Sequence, residues 1–182
     1  MGSGFESRGV YQSFKCQNLS MSKALLVIDV QVCMFFGLWP VPNAPQLLSR
    51  IADRVLAARM DSTPVIWVQN DGPDGELDAP GMPYWELALG VSASEMVVRK
   101  TTQNVFESNP MLAAELRSKG ILELELIGLQ SEMCLRASAL GAKAAGFRVS
   151  VDRTLHGTYD QEEKSAQQIS DEVQLELERT LR

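Results

Sequence analysis

The sequence predicts an α/β protein of three layers (α-β-α), with helices on both faces of a mostly parallel sheet of five or six strands, and three observations lead there. The run at residues 24–29 is short and continuously apolar up to a terminal carboxylate, the pattern of a strand covered on both faces, and further strands are expected at 64–68 and 121–127. Segments with helical spacing separate them. Connections of that length between strands imply parallel crossovers. No internal repeat is present.

The elements follow in order. Residues 1–22 hold Gly, Ser, Gln and Asn without periodicity and are expected to be a loose N-terminal extension, with Met21 resembling a natural start and Cys16 silent. The domain proper is expected over residues 23–182. Its first strand, 24–29, ends in a carboxylate, Asp29. Residues 45–60 place Leu47, Leu48, Ile51, Val55 and Leu56 at three- and four-residue spacing, an amphipathic helix. A second strand at 64–68 leads into a Gly-, Pro- and Asp-rich loop at 71–83, and a third strand at 95–98 runs into Arg99 and Lys100. At 109–120, Asn109 is placed to cap a helix, Pro110 to occupy its first turn and Gly120 to close it. After the strand at 121–127 come a turn, a helix from about Cys134 to Ala145, a strand at 147–151 and a charged, helical tail over 161–182.

Composition excludes several function classes. The formal net charge is -6, and no stretch gathers Lys and Arg densely enough to neutralise a row of phosphates, so nucleic acid is not an expected partner. No apolar run approaches the roughly 20 residues of a membrane span. The N-terminus lacks a basic region followed by an apolar core, and a cytoplasmic location is expected. Cys16, Cys33 and Cys134 form no CxxC pair and no even set, which argues against a disulfide framework or a zinc cluster. A nucleotide-binding module would need a glycine-rich phosphate turn after the first strand, and DVQVCMFFG at 29–37 offers none.

Ligands of open α/β sheets bind beyond the carboxyl ends of the strands. Asp29, Lys100 and the turn before Cys134 all fall at that edge. A cysteine in the first turn of a helix gains from unpaired N–H groups and the dipole, so a lowered Cys134 pKa, lowered further by Lys100, is expected. Asp29 is placed to take the thiol proton. Gln31, two residues on, is expected to orient that carboxylate. Phe35, Phe36, Trp39, Tyr84 and Trp85 are candidates for an apolar substrate wall. Cys33 lies near the same edge and is read as a wall residue, while the single histidine, His156, is read as a structural hydrogen-bonding residue.

The stretch GLQSEMCLRASAL at 128–140 resembles the nucleophile motif of the isochorismatase-like cysteine hydrolases, which include nicotinamidases. LLVIDVQ at 25–31 is similar to that family's first strand with its catalytic Asp, VVRKTT at 97–102 to the segment supplying its Lys, and HGTYD at 156–160 to a late segment. The resemblance implies the family's Rossmann-like hydrolase fold and a triad of Asp29, Lys100 and Cys134. It also implies an oxyanion hole from the backbone N–H groups of Gln130 and Cys134, with a cis peptide bond between Leu129 and Gln130. The implied activity is hydrolysis of a non-peptide, amide-type C–N bond of a small molecule through a thioester, with no cofactor, in a protein that forms homo-oligomers. The metal-binding histidines of nicotinamidases are missing, so no metal is expected and nicotinamide loses ground as substrate. Asn104 and Val105 stand where relatives carry Ser-Ala, a departure that bears on the pocket or a subunit contact. Two alternatives stand beside this reading: a vinyl-ether hydrolase, which in relatives uses no nucleophilic cysteine, and a catalytically silent scaffold or binding protein of the same fold.

Overall fold

The computed structural model describes residues 22–182, so Cys16 and residues 1–21 of the expected extension lie outside it. Ser22, the last residue of that expected extension, opens the first strand.

Five strands, β1 (Ser22–Ile28), β2 (Val65–Asn70), β3 (Met96–Lys100), β4 (Ile121–Leu129) and β5 (Arg148–Gly157), form one sheet in the order β3-β2-β1-β4-β5. Every pairing is parallel. Alternation along β1 explains the three layers. Ala24, Leu26 and Ile28 join one core, Leu25 and Val27 the other. The second core is closed by α1 (Val32–Phe35) and α2 (Ala44–Met60), whose Leu47, Ile51, Val55 and Ala58 are buried one turn apart. Leu56, assigned by spacing to the same face, turns to solvent.

On the opposite face lie α3 (Val105–Ser108), α4 (Leu112–Ser118), α5 (Arg136–Ala144) and α6 (Ala166–Thr180). A full capping box starts α6: Ser165 takes the Gln168 N–H and the Gln168 side chain returns to the Ser165 backbone. The expected cap at Asn109 is not formed. Asn109 ends α3 instead, donating through Nδ2 to the carbonyls of Arg99 and Val105, and α4 begins three residues later. Residues 131–135 make one wide π-helical turn that runs into α5.

From β1 the chain moves outward through β2 and β3, then returns to lay β4 and β5 on the other side. The order therefore reverses between β1 and β4, the place where such sheets bind ligands. Gly128 sits there opposite Ile28, at φ +119, and a Cβ on it would stand 2.0 Å from the Ile28 carbonyl oxygen. Gly128→Ala is therefore expected to cost about 2–4 kcal/mol through strain and strand separation, read as a lowered urea midpoint with an unchanged m-value.

Candidate active site

Three strand ends bring the site together. Asp29 follows β1 directly, its backbone at φ 49, and is 2% exposed; Lys100 ends β3 and is 1% exposed. Cys134 rides on the π-helical turn after β4 and is only partly buried. The peptide bond between Leu129 and Gln130, at the entry to that turn, is cis. Lys100 Nζ lies 2.9 Å from Asp29 Oδ2, 3.3 Å from Cys134 Sγ and 2.8 Å from Asn70 Oδ1. The ammonium thus uses its three donors on the carboxylate, the sulfur and an amide oxygen. Asp29 Oδ1, also buried, has no hydrogen-bond partner among the described residues.

The electrostatics follow from burial. Loss of water raises the Asp29 pKa above its ordinary 3.8, although Lys100 pulls it back. Burial works against the Lys100 ammonium, but Asp29 and the sulfur together hold its pKa above 10.5. The Cys134 thiol is pushed up to about 12, first by burial and then by the Asp29 charge, with Lys100 opposing. This corrects the expectation of a lowered pKa from the helix start and Lys100. A carboxylate and an ammonium already neutralise each other here, and a thiolate would add an unbalanced charge beside that buried pair. Carboxylate, ammonium and thiol is therefore the resting arrangement. Moving the thiol proton onto Asp29 keeps the total charge at zero, which makes that transfer the natural route to the thiolate.

The other candidate residues divide. Gln31 is fully buried but does not hold Asp29. Its Nε2 donates to the carbonyls of Asn70 and Trp85, at 3.1 and 2.9 Å, and its Oε1 accepts the Asn70 N–H at 2.8 Å. It acts instead on Asn70, which the sequence reading passed over because it ended the second strand at Val68, two residues early. Asn70 Nδ2 donates in turn to Asp78 Oδ2 at 2.6 Å, so the 71–83 loop supports the Lys100 partner.

The candidates for an apolar wall lie in different surroundings. Phe35 is core, 5% exposed, while Trp39 is 67% exposed and contributes its carbonyl to the Tyr159 hydroxyl. Phe36 is half-exposed. Tyr84 packs its ring edge against Gly37, and its carbonyl takes the Cys33 N–H. Trp85 donates to Asp71 and lies under the Arg99 guanidinium, 4.9 Å away. Cys33 is partly buried, its thiol pushed up to about 11 by burial and by the charges of Asp78 and Asp29.

His156 is buried and bonds to Ser131, the residue after Gln130. Beside them Glu132 accepts from Thr158 and Gln161, tying the turn to the segment after β5. Among the described residues, no group of three or more His, Cys, Asp or Glu is placed to hold a metal ion. No helix of those residues is long and apolar enough to cross a membrane. A cavity of about 570 Å³ lined by Arg59, Val65, Glu95 and Ile121 opens at the amino ends of the strands. Its Arg59 and Glu95 are spent on each other, and it lies at the edge opposite the one where these sheets bind ligands.

Comparison with known proteins bears on the whole arrangement. The isochorismatase domain family model matches residues 23–171. Two curated streptothricin hydrolases from Streptomyces noursei are each 41% identical over 140 residues, 76% of this chain. Those residues cover 55% and 50% of the two relatives, so the chain spans about half their length. A crystal structure of an isochorismatase family protein superposes with a TM-score of 0.75 at 26% identity, covering 84% of this chain and 91% of that one. An isochorismatase from Pseudomonas putida KT2440 shares the fold, with a TM-score of 0.80 at 24% identity over 90% of this chain and 86% of that one.

Proposed function

Because the chain belongs to the isochorismatase family, we propose that it is a hydrolase cleaving an amide-type C–N bond of a small molecule through a thioester on Cys134. One observation carries this reading: Lys100 Nζ bridges Asp29 and the Cys134 sulfur at 2.9 and 3.3 Å, with both charged groups buried. Asp29 takes the thiol proton as the sulfur attacks the carbonyl carbon, and Lys100 balances the negative charge throughout. The carbonyl oxygen gains charge and is met by the N–H groups of Gln130 and Cys134, each contributing about 3–4 kcal/mol. When the C–N bond breaks, Asp29 returns its proton to the departing amine, leaving a thioester. Water then gives one proton to Asp29 and its hydroxyl to the acyl carbon, the C–S bond breaks, and Asp29 hands that proton to the departing sulfur. The products are a carboxylic acid, the amine and the restored thiol. Vinyl-ether hydrolysis would leave the ammonium–sulfur contact without a use.

The streptothricin hydrolases support hydrolysis, and they make streptothricin the first substrate to try. The test is a panel of streptothricin, small amides, lactams, ureas and carbamates, scored by release of amine or ammonia. The expected outcome is turnover of at least one compound that vanishes in Cys134→Ala. Turnover surviving that change would contradict the proposal.

The pH profile has a predicted shape. The active form carries a carboxylate at Asp29 and a proton on Cys134. A second proton, on Asp29, removes the base, so kcat/KM falls on the acid side along a limb lying above 3.8, because burial raises that pKa. Towards alkaline pH the rate holds well past neutrality, since burial pushes the thiol pKa up to about 12. A profile that rises with pH through 8–9, the range of an ordinary thiol, would contradict this assignment.

A further inference from the structure

Behind the turn that carries Cys134 runs a buried chain of hydrogen bonds that the mechanism above does not use. Ser131 Oγ lies 2.8 Å from His156 Nδ1 and 2.9 Å from Ser170 Oγ, and His156 Nε2 lies 3.1 Å from Gln174 Oε1. All four residues are buried, Ser131 completely. The direction of each bond can be worked out from the far end. Gln174 spends its amide nitrogen on the Val151 carbonyl at 3.2 Å and on Glu178 at 3.0 Å, which leaves its oxygen to face the imidazole. His156 Nε2 therefore carries the proton and donates, so Nδ1 of the neutral ring is an acceptor. Ser131 must donate its hydroxyl proton to Nδ1, and Ser170 donates to the Ser131 oxygen. Every group is satisfied in one orientation only.

The turn is bonded at both ends: at its far end the Arg136 N–H reaches the carbonyls of Ser131 and Met133. Its opening carbonyl, Gln130 O, accepts from Met133 N–H and from Leu135 N–H, both at 3.2 Å, the long end of the usual range. Cys134 lies between those two donors. The turn's first residue, Ser131, is the side chain that ties it to the buried chain of hydrogen bonds.

We infer that His156 is a positioning residue: by accepting the Ser131 proton at Nδ1 it fixes the turn whose Gln130 and Cys134 N–H groups meet the oxyanion. The inference rests on the hydrolase reading above, and it assigns the chain's one histidine a place in that reaction without contact to substrate.

Two reagents separate its role from general support of the fold. p-Nitrophenyl acetate acylates a thiol through a tetrahedral oxyanion, with p-nitrophenolate leaving. Iodoacetamide alkylates the same sulfur with iodide leaving and forms no oxyanion. Both are followed on the Cys134 peptide by mass spectrometry, with Cys134→Ala as blank. His156→Leu and Ser131→Ala are each expected to slow acylation about 10- to 100-fold, while alkylation stays within about twofold. The double variant should be no slower than either single one, because the two residues act as a unit. His156→Asn, which keeps an acceptor near Nδ1, should recover most of the acylation rate. Acylation unchanged in both single variants, or acylation and alkylation falling together, would overturn the inference. If His156→Leu fails to fold, Ser131→Ala and His156→Asn decide the matter alone. Wild-type Cys134 that is alkylated but never acylated would instead overturn the oxyanion reading, and the inference with it.

Discussion

Cys134→Ala is expected to lower turnover at least about 10⁴-fold while leaving the protein folded, because it removes the atom that forms a bond to the substrate in the proposed mechanism. The fold should tolerate it for a local reason. Lys100 keeps its contacts to Asp29 and Asn70 at 2.9 and 2.8 Å and loses only the sulfur, so no buried charge is left uncompensated. Cys134→Ser tests the same point from the other side. A hydroxyl gives up its proton far less readily than a thiol, and Asp29 as a carboxylate is too weak a base to take it, so this variant should also be nearly inactive. Steady-state rates paired with urea midpoints check both. Activity within tenfold of wild type in either variant would mean that the sulfur is not the nucleophile.

Lys100→Met is expected to cost about 3–5 kcal/mol of stability as well as activity, because it leaves Asp29 buried with no counter-ion. The sign of its pH dependence follows from Asp29. Without the ammonium, burial alone acts on the carboxyl and its folded-state pKa rises further above the unfolded value of 3.8. A group raised in the folded state favours folding below its unfolded pKa and loses that advantage as pH climbs through the folded one. The deficit of the variant should therefore be largest near pH 7 and shrink towards pH 4. Adding Asp29→Asn should restore much of the stability and none of the activity. A Lys100→Met protein as stable as wild type at pH 7 would show that the pair is not sealed from water.

How much of this was legible in the sequence differs from residue to residue. The apolar runs that became most of β1 and β2 were readable because burial on both faces leaves few polar positions, whereas β4 carries Glu123 and Glu125, and Glu125 is held by Lys23 and Arg54. Asp29 and Lys100 were readable because polar residues ending such strands stand at the carboxyl edge, where ligands bind. Gln31 was placed at the right edge with the wrong partner, since the 84–88 segment that pairs with residues 30–33 lies more than 50 positions away and leaves no local trace. Asn70 was missed because an amide at a strand end carries no charge pattern to mark it. Asn109 looked like a helix cap by spacing, yet the carbonyls of Arg99 and Val105 compete for its side chain. The protonation of Cys134 was misjudged on local grounds: a helix start and a lysine argue for thiolate, and burial of the thiol, with the Asp29 charge beside it, reverses the balance. The Ser131–His156 contact joins residues 25 apart directly, flanked by Ser170 and Gln174 of α6, and could not be seen before the chain was folded.

The central claim is that an acyl group passes through the Cys134 sulfur. The most direct measurement is acid quenching during turnover of a substrate from the panel, with the Cys134 peptide weighed by mass spectrometry and hydroxylamine added in parallel. The expected result is a Cys134 peptide heavier by the acyl group and a hydroxamate formed at the expense of the acid. Full turnover with an unmodified Cys134 peptide and no hydroxamate would contradict it.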